Sequence, residues 1–365
     1  MRKTLFLWLL LAASAAHAKP SWQTVSIPIL PSGATLGPVW AGLAGDLYLW
    51  AETRGGPSKD VPTAHLLHWN GSLWRVALKL PGHAPAGVFG LNASNMFAAV
   101  NKCAAGRAAG CGADRGPRVF HCEDNGNTWV PQDLTSAADG RAITGLSGSF
   151  DNVQVLLDKS LLLRFDGVAW NTALEMEDDK AGHSLAFTIM GANEGYLAAC
   201  DGWGRWMDGA WKFMPAEFGF CDAQGLWGIR DNAGILRLYA VDNHRFNNGV
   251  RVWQFDAPSE DYTMVFEEAS VDDNGSAAGI WGSAQDDIYV IGQIGSSGRT
   301  GSGRVYHFDG TAWKKESSLG PIPPPRGIHG TSRNDVWITL GDGRLLHYST
   351  ATTLTRRMSA ASTAP

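Results

Sequence analysis

Histidines, clustered carboxylates and tryptophans are the residues of this 365-residue chain that could do chemistry. Four histidines sit in similar settings, Leu67-His68-Trp69, Phe120-His121-Cys122, Tyr306-His307-Phe308 and Leu346-His347-Tyr348. Imidazoles of this kind are common metal ligands, and zinc requires them at about 2 Å. Carboxylates cluster at Glu175, Glu177, Asp178 and Asp179, and again at Asp272-Asp273-Asn274-Gly275-Ser276. The second cluster begins like a calcium loop, but residue 283, where a bidentate Glu would close the loop, is Ser. Two carboxylates about 5 to 10 Å apart would suit a glycosidase, a convergence that linear order does not fix. No Gly-x-Ser-x-Gly, His-Glu-x-x-His or phosphate-binding loop is present.

Composition narrows the classes. The chain is 44% hydrophobic and 18% charged, with 44 Gly, 17 Pro and 16 Trp, which indicates a packed globular protein without long helices. Met1-Arg2-Lys3, an apolar run from Leu5 to Ala13 and Ala16-His17-Ala18 form a signal-peptide pattern over residues 1–18, with cleavage expected after Ala18. The protein is therefore expected to be exported, to a periplasm or outside the cell. No later apolar run approaches the roughly 20 residues of a membrane-spanning helix. Without Arg2 and Lys3, 28 basic residues face 35 acidic ones, a charge of −7 that offers no footprint for nucleic acid. Export permits disulfides. Cys103 with Cys111 and Cys200 with Cys221 are the nearest pairs, leaving Cys122 as the odd thiol; a Cys103–Cys122 bridge competes.

What must position these residues is a repeat. Residues 279–313 run Gly-Ile-Trp-Gly, a polar turn, Asp-Ile-Tyr-Val-Ile, a variable loop, then Val-Tyr-His-Phe-Asp-Gly-Thr-Ala-Trp. Residues 327–348 and 38–74 repeat that order, and looser copies begin at Gly87, Ile143, Ile189 and Leu226. Seven copies of about 50 residues, each reading as four short strands, predict an all-β fold, a seven-bladed β-propeller with four-stranded blades. The Asp-Gly and Asn-Gly pairs supply tight turns before the outermost strand. The last copy lacks its fourth strand, and Ser21–Ile27 resembles Leu73–Lys79, so the N-terminal strand is expected to close the ring; residues 352–357 are the alternative. One domain is expected over residues 19–357, followed by a polar tail, 358–365.

Cys122-Glu123-Asp124-Asn125-Gly126-Asn127-Thr128-Trp129 resembles the Asp-box of the bacterial neuraminidase repeat family, Ser-x-Asp-x-Gly-x-Thr-Trp, with Cys122 in the place of Ser. The remaining copies, with their Asp-Gly-x-x-Trp remnants, look like the tandem propeller repeats of exported bacterial proteins. That resemblance implies the fold and a structural turn. It carries over no catalytic residue, since the Arg-Ile-Pro segment of propeller sialidases is missing.

On this scaffold the four histidines occupy one repeat position in different blades, too far apart to share a metal, so neither metal nor cofactor is expected. Trp40, Trp227 and Trp281 share another position, with Phe89, Met190 and His329 in the matching places. They are read as inter-blade core, with channel-facing rings as the other possibility. Trp74, Trp129, Trp170, Trp211 and Trp313 are read as packing on the outermost strands. Long connections are expected on one face: 51–64, 101–118, 242–249 and 293–304 within blades, 171–184 and 257–278 between them. That face carries the candidate ligand-binding residues Arg54, Lys59, Arg107, Arg115, His183, Trp203, Arg205, His244, Arg245 and Arg299. The reading is a non-enzymatic module that binds a protein or cell-surface component through this face. The alternatives are a carbohydrate-binding propeller and, behind it, a glycan hydrolase or lyase.

Overall fold

The computed structural model describes residues 19–54, 61–103, 116–176, 185–199, 202–215, 222–243, 249–256, 261–268, 275–295 and 301–350. They form seven four-stranded antiparallel sheets arranged in a ring, six of them meanders in chain order and the seventh joining the N-terminal strand to the last three. The fold is a seven-bladed β-propeller. The innermost strands are Thr35–Ala41, His83–Asn92, Ile143–Ser149, Ala186–Gly191, Ala223–Arg230, Ser276–Ala284 and Pro325–Ser332, for blades 1 to 7.

Blade 7 is completed by the N-terminal strand. Ser21–Val25 pairs antiparallel with Leu345–Ser349, from Ser21 opposite Ser349 to Val25 opposite Leu345. Trp22 fastens this strand from its side chain, meeting Tyr348 at 5.2 Å and the Tyr289 ring edge-on at 6.0 Å. Residues 352–357 lie outside the described residues.

A propeller has no single centre to its core. Each sheet is covered on both faces by its neighbours, so the second strands carry unbroken apolar runs such as Leu47–Ala51, Val153, Val155–Leu157 and Ile288–Ile291, all buried. The buried residues fall into seven clusters, one in each wedge between adjacent blades. Large aromatics fill those wedges because twisted sheets diverge away from the axis.

All six expected connections are shortened by strands that reach into them; within blades 1, 2 and 5 the strands leave 55–61, 103–116 and 244–249. The stretch 257–278 contains the outermost strand of blade 5, Asp261–Glu268. It escaped the repeat because Asp-Tyr-Thr-Met-Val-Phe-Glu-Glu lacks both the Asp-Gly turn and the tryptophan of its counterparts. Likewise, blade 3's outermost strand continues through Glu175, and blade 6's third strand begins at Gly303. Cys122 is a free, buried thiol, which removes the Cys103–Cys122 alternative. Cys111, Cys200 and Cys221 lie outside the described residues.

Candidate functional site

The innermost strands converge on the axis and meet one another through one repeated contact. In blades 1, 2, 4, 5 and 6 a bulky side chain leans onto a glycine of a following blade. A Cβ added to Gly90 would come 2.7 Å from the Trp40 ring, to Gly148 2.8 Å from Phe89, and to Gly228 2.8 Å from the Met190 sulfur. At Gly282 it would meet Trp227 at 2.7 Å, and at Gly330 Trp281 at 2.7 Å. The Trp-Gly, Phe-Gly and Met-Gly pairs of the repeat are thus one device for letting adjacent sheets approach closely. Blades 3 and 7 depart from it. Ser147 Oγ accepts the Ile189 N–H at 3.1 Å, and His329 Nδ1 accepts the Ala41 N–H at 3.1 Å.

These side chains line a central channel of about 670 Å³. Trp40 and Trp281 are 5% and 9% exposed and belong to inter-blade clusters, yet they also form channel wall. Both sequence readings of these rings therefore hold at once. A further space of about 210 Å³ adjoins it, sharing Leu146, Phe187, Leu226 and Ile280 with the main channel.

The polar groups of the channel are few and paired. Arg230 bonds both oxygens of Glu194 and the Gly234 carbonyl, and the Tyr196 hydroxyl donates to Glu194 at 3.0 Å. Burial pushes the Glu194 carboxyl upward, but the hydrogen bonds from Arg230 and Tyr196 outweigh it and hold the group below the usual range. His329 lies between Trp40 and Trp281, ring centroids 6.1 and 6.2 Å away. Burial lowers its pKa to about 4, against a weaker upward pull from Asp335, so the ring is neutral at pH 7.

The four repeat histidines lie farther out, each in the third strand of its blade. His68 Nε2 meets Asp46 at 3.0 Å, His121 Nε2 meets Asn95 at 2.9 Å, His307 Nε2 meets Asp287 at 2.7 Å and His347 Nε2 meets Asp335 at 2.6 Å. Each imidazole stacks within 10° of parallel on a cross-strand ring: Tyr48, Phe97, Tyr289 or Trp337. Burial lowers the pKa of His68 and His121. Ser283 and Thr331 hydroxyls donate to Asp287 and Asp335. The order is hydroxyl, carboxylate, imidazole, so the hydroxyl meets the carboxylate and not the imidazole, unlike the hydroxyl–imidazole–carboxylate order of a nucleophilic triad. Among the described residues no group of three or more His, Cys, Asp or Glu could hold a metal ion.

Two candidate residues belong to this framework and not to a loop. Arg205 and Trp203 lie in the third strand of blade 4, Gly202–Met207. Arg205 pairs across the sheet with Tyr196, the place histidine takes in four other blades, and its guanidinium lies 6.0 Å from the Tyr196 ring. Trp203 is buried against Phe255 at 4.9 Å. The glycines at 202 and 204 disguised the strand. Arg54 does end the second strand of blade 1, exposed and bonded to Glu52 at 2.7 Å. Lys59, Arg107, Arg115, His183, His244, Arg245 and Arg299 lie outside the described residues, as do Glu177–Asp179 and Asp272–Asn274. Conversely, the Glu194–Arg230 pair carried no sequence signal, whereas His329 was visible as Gly-Ile-His-Gly in place of Gly-Ile-Trp-Gly.

The two faces of the ring differ. On one, turns close on their own side chains: Asn70 Oδ1 accepts the Ser72 and Leu73 N–H groups, Asp166 those of Val168 and Ala169, and Asp309 those of Thr311 and Ala312. The Cys122–Trp129 turn is the most elaborate. Asp124 accepts from Asn127 N–H at 3.0 Å, Thr128 N–H at 2.7 Å and the Cys122 thiol at 3.0 Å, while Cys122 sulfur accepts the Gly126 N–H. The Thr128 side chain, followed by the Cys122 thiol and the Thr128 and Asn127 N–H groups, holds the Asp124 carboxyl far below the usual range. The strand ends that flank 55–60, 104–115, 177–184, 216–221, 244–248, 269–274 and 296–300 open onto the opposite face, and those segments themselves lie outside the described residues.

No protein-family model matches the chain, and no curated protein does. Solved propellers do. The chain is similar to YCF48 bound to D1 peptide, with TM-score 0.59 and 14% identity over 90% of this chain and 97% of that one. A catalytically inactive virginiamycin B lyase from Staphylococcus aureus with quinupristin gives TM-score 0.58 and 10% identity over 91% and 99%. The GH74 xyloglucanase from Xanthomonas campestris gives 0.60 and 13% identity over 89% of this chain but 53% of that one. The shared property is the fold, since one of these proteins was solved with a peptide and another degrades a glycan.

Proposed function

We propose that the protein is an exported binding module that recognises a protein or cell-surface component through the face bearing its long connections. The observation that carries this reading is the inequality of the two faces. One is closed by short self-satisfied turns, while the described strand ends on the other are separated by most of the sequence that lies between strands, where repeat scaffolds place variable binding residues. The YCF48 structure with D1 peptide supports a protein partner by analogy of fold.

Residues 1–18 are proposed as a cleaved signal peptide, and Cys103–Cys111 and Cys200–Cys221 as disulfides. N-terminal sequencing should then begin at Lys19, and mass spectrometry of non-reduced peptides should show both links. The Cys122–Trp129 turn is proposed as an Asp-box, supported by the three bonds converging on Asp124.

The test is binding of residues 19–365 to peptide and glycan panels, with release of reducing ends followed in the same wells. Saturable peptide binding that is lost when 104–115 is replaced by a short Gly-Ser linker is the expected result. Glycan binding without release would favour the carbohydrate-binding reading, and release that vanishes on replacing one loop carboxylate would overturn a non-enzymatic role.

A further inference from the structure

Apart from the long-connection face, we propose that the central channel is a binding site for a small, neutral, aromatic molecule carrying a hydrogen-bond acceptor, seated against tryptophan rings with its acceptor on His329 Nε2. Four observations converge on that ligand class. The space of about 670 Å³ lies within the range of small-molecule sites, about 300 to 1,000 Å³. Its wall includes the partly exposed ring of Trp227 and the edges of the buried Trp40 and Trp281, whose positions are fixed by close contact with glycines of neighbouring blades, so little ordering remains to oppose aromatic contact. Its charges cancel, because Arg230 and Glu194 satisfy each other, which selects a neutral ligand.

His329 supplies the polar anchor. Its Nδ1 accepts the Ala41 N–H, so in the neutral ring the proton resides on Nε2, and that N–H has no partner among the described residues. The N–H faces the open channel, where a ligand carbonyl would take the place of solvent. On the tight-turn face the turns after the innermost strands expose Leu43 in blade 1, Phe150 in blade 3 and Ile235 in blade 5, at 82, 74 and 49%, beside the Arg333–Asp286 ion pair of blades 7 and 6.

The test compares two probes of one shape, 2-acetylnaphthalene, which has an acceptor, and 2-ethylnaphthalene, which has none, by quenching of tryptophan fluorescence and by calorimetry. The intact protein should bind the ketone about tenfold more tightly, the worth of one hydrogen bond. His329→Phe should equalise the two. Ser147→Phe offers a second route: its ring can lie over Gly191, where an added Cβ meets only Glu194 Cβ at 3.7 Å, and should weaken both probes at least tenfold with an unchanged β-sheet spectrum. Absence of saturable binding, equal affinities in the intact protein, a ketone preference that survives His329→Phe, or full affinity in a folded Ser147→Phe variant would each overturn the proposal.

Discussion

The seam between blades 6 and 7 and the seam between blades 3 and 4 solve the same problem by opposite means. In the first, Trp281 overlies Gly330, so tightly that a Cβ there would also lie 2.4 Å from the Asp335 carbonyl. In the second, the matching residue is Ser147, whose hydroxyl accepts the Ile189 N–H, Asn152 Nδ2 donates to the Gly191 and Ala192 carbonyls, and Gly191 keeps open space beside it. The contrast teaches that the repeat preserves strand position rather than a particular interaction. The glycine persists in blade 4 although the bulky neighbour that would require it is gone.

Four measurements would break or sharpen that contrast. Trp281→Ala should cost about 3 to 5 kcal/mol in denaturant unfolding, since it empties a wedge; a value near that of a surface substitution would show the ring to be channel wall alone. Next in size is acid sensitivity at the third kind of seam, between blades 7 and 1. Because the folded pKa of His329 is about 4 and an unfolded histidine titrates near 6.5, the unfolded chain binds the extra proton between those values. Stability should therefore fall as pH drops from about 6.5 to about 4, by at most about 3 kcal/mol from this residue. His329→Gln should flatten that part of the profile, and an unchanged slope would place the titration elsewhere, His65, His68 and His121 being the other histidines whose pKa burial lowers.

Gly330→Ala should destabilise by about 1 to 3 kcal/mol through overpacking, whereas Gly191→Ala should be neutral or slightly stabilising. Equal effects would abolish the distinction between the seams. Smallest of all, Cys122→Ser should leave the melting temperature nearly unchanged, because a hydroxyl can accept from Gly126 N–H and donate to Asp124 as the thiol does. A large loss would mean that the turn depends on sulfur packing, not on its hydrogen bonds.

The architecture was legible because a propeller writes its geometry once per blade. Asp-Ile-Tyr-Val-Ile and Tyr-His-Phe-Asp-Gly mark strands and turns regardless of what surrounds them, and the closing role of Ser21–Val25 followed from the strand missing in the last copy. Blade 5 was harder, because its outermost strand had lost both local signals. The site was less legible, for a physical reason. Trp203 and Arg205 belong to a strand whose alternate glycines resemble a loop, and Glu194 meets Arg230 only because the ring brings two blades to one axis. Such a convergence is a property of the closed circle, and no stretch of sequence contains it.

The pairing of Ser21–Val25 with Leu345–Ser349 also sets an order of events. During synthesis the first strand leaves the ribosome long before its partner exists, and Trp22 has no Tyr348 to rest on until nearly the whole chain has been made. Six blades can assemble from their own meanders, but the seventh waits for the two extremities to meet. Trimming either extremity should therefore injure the same sheet, and a fusion that holds the N-terminus away from the ring should delay the last folding step while leaving the earlier ones at their normal rates.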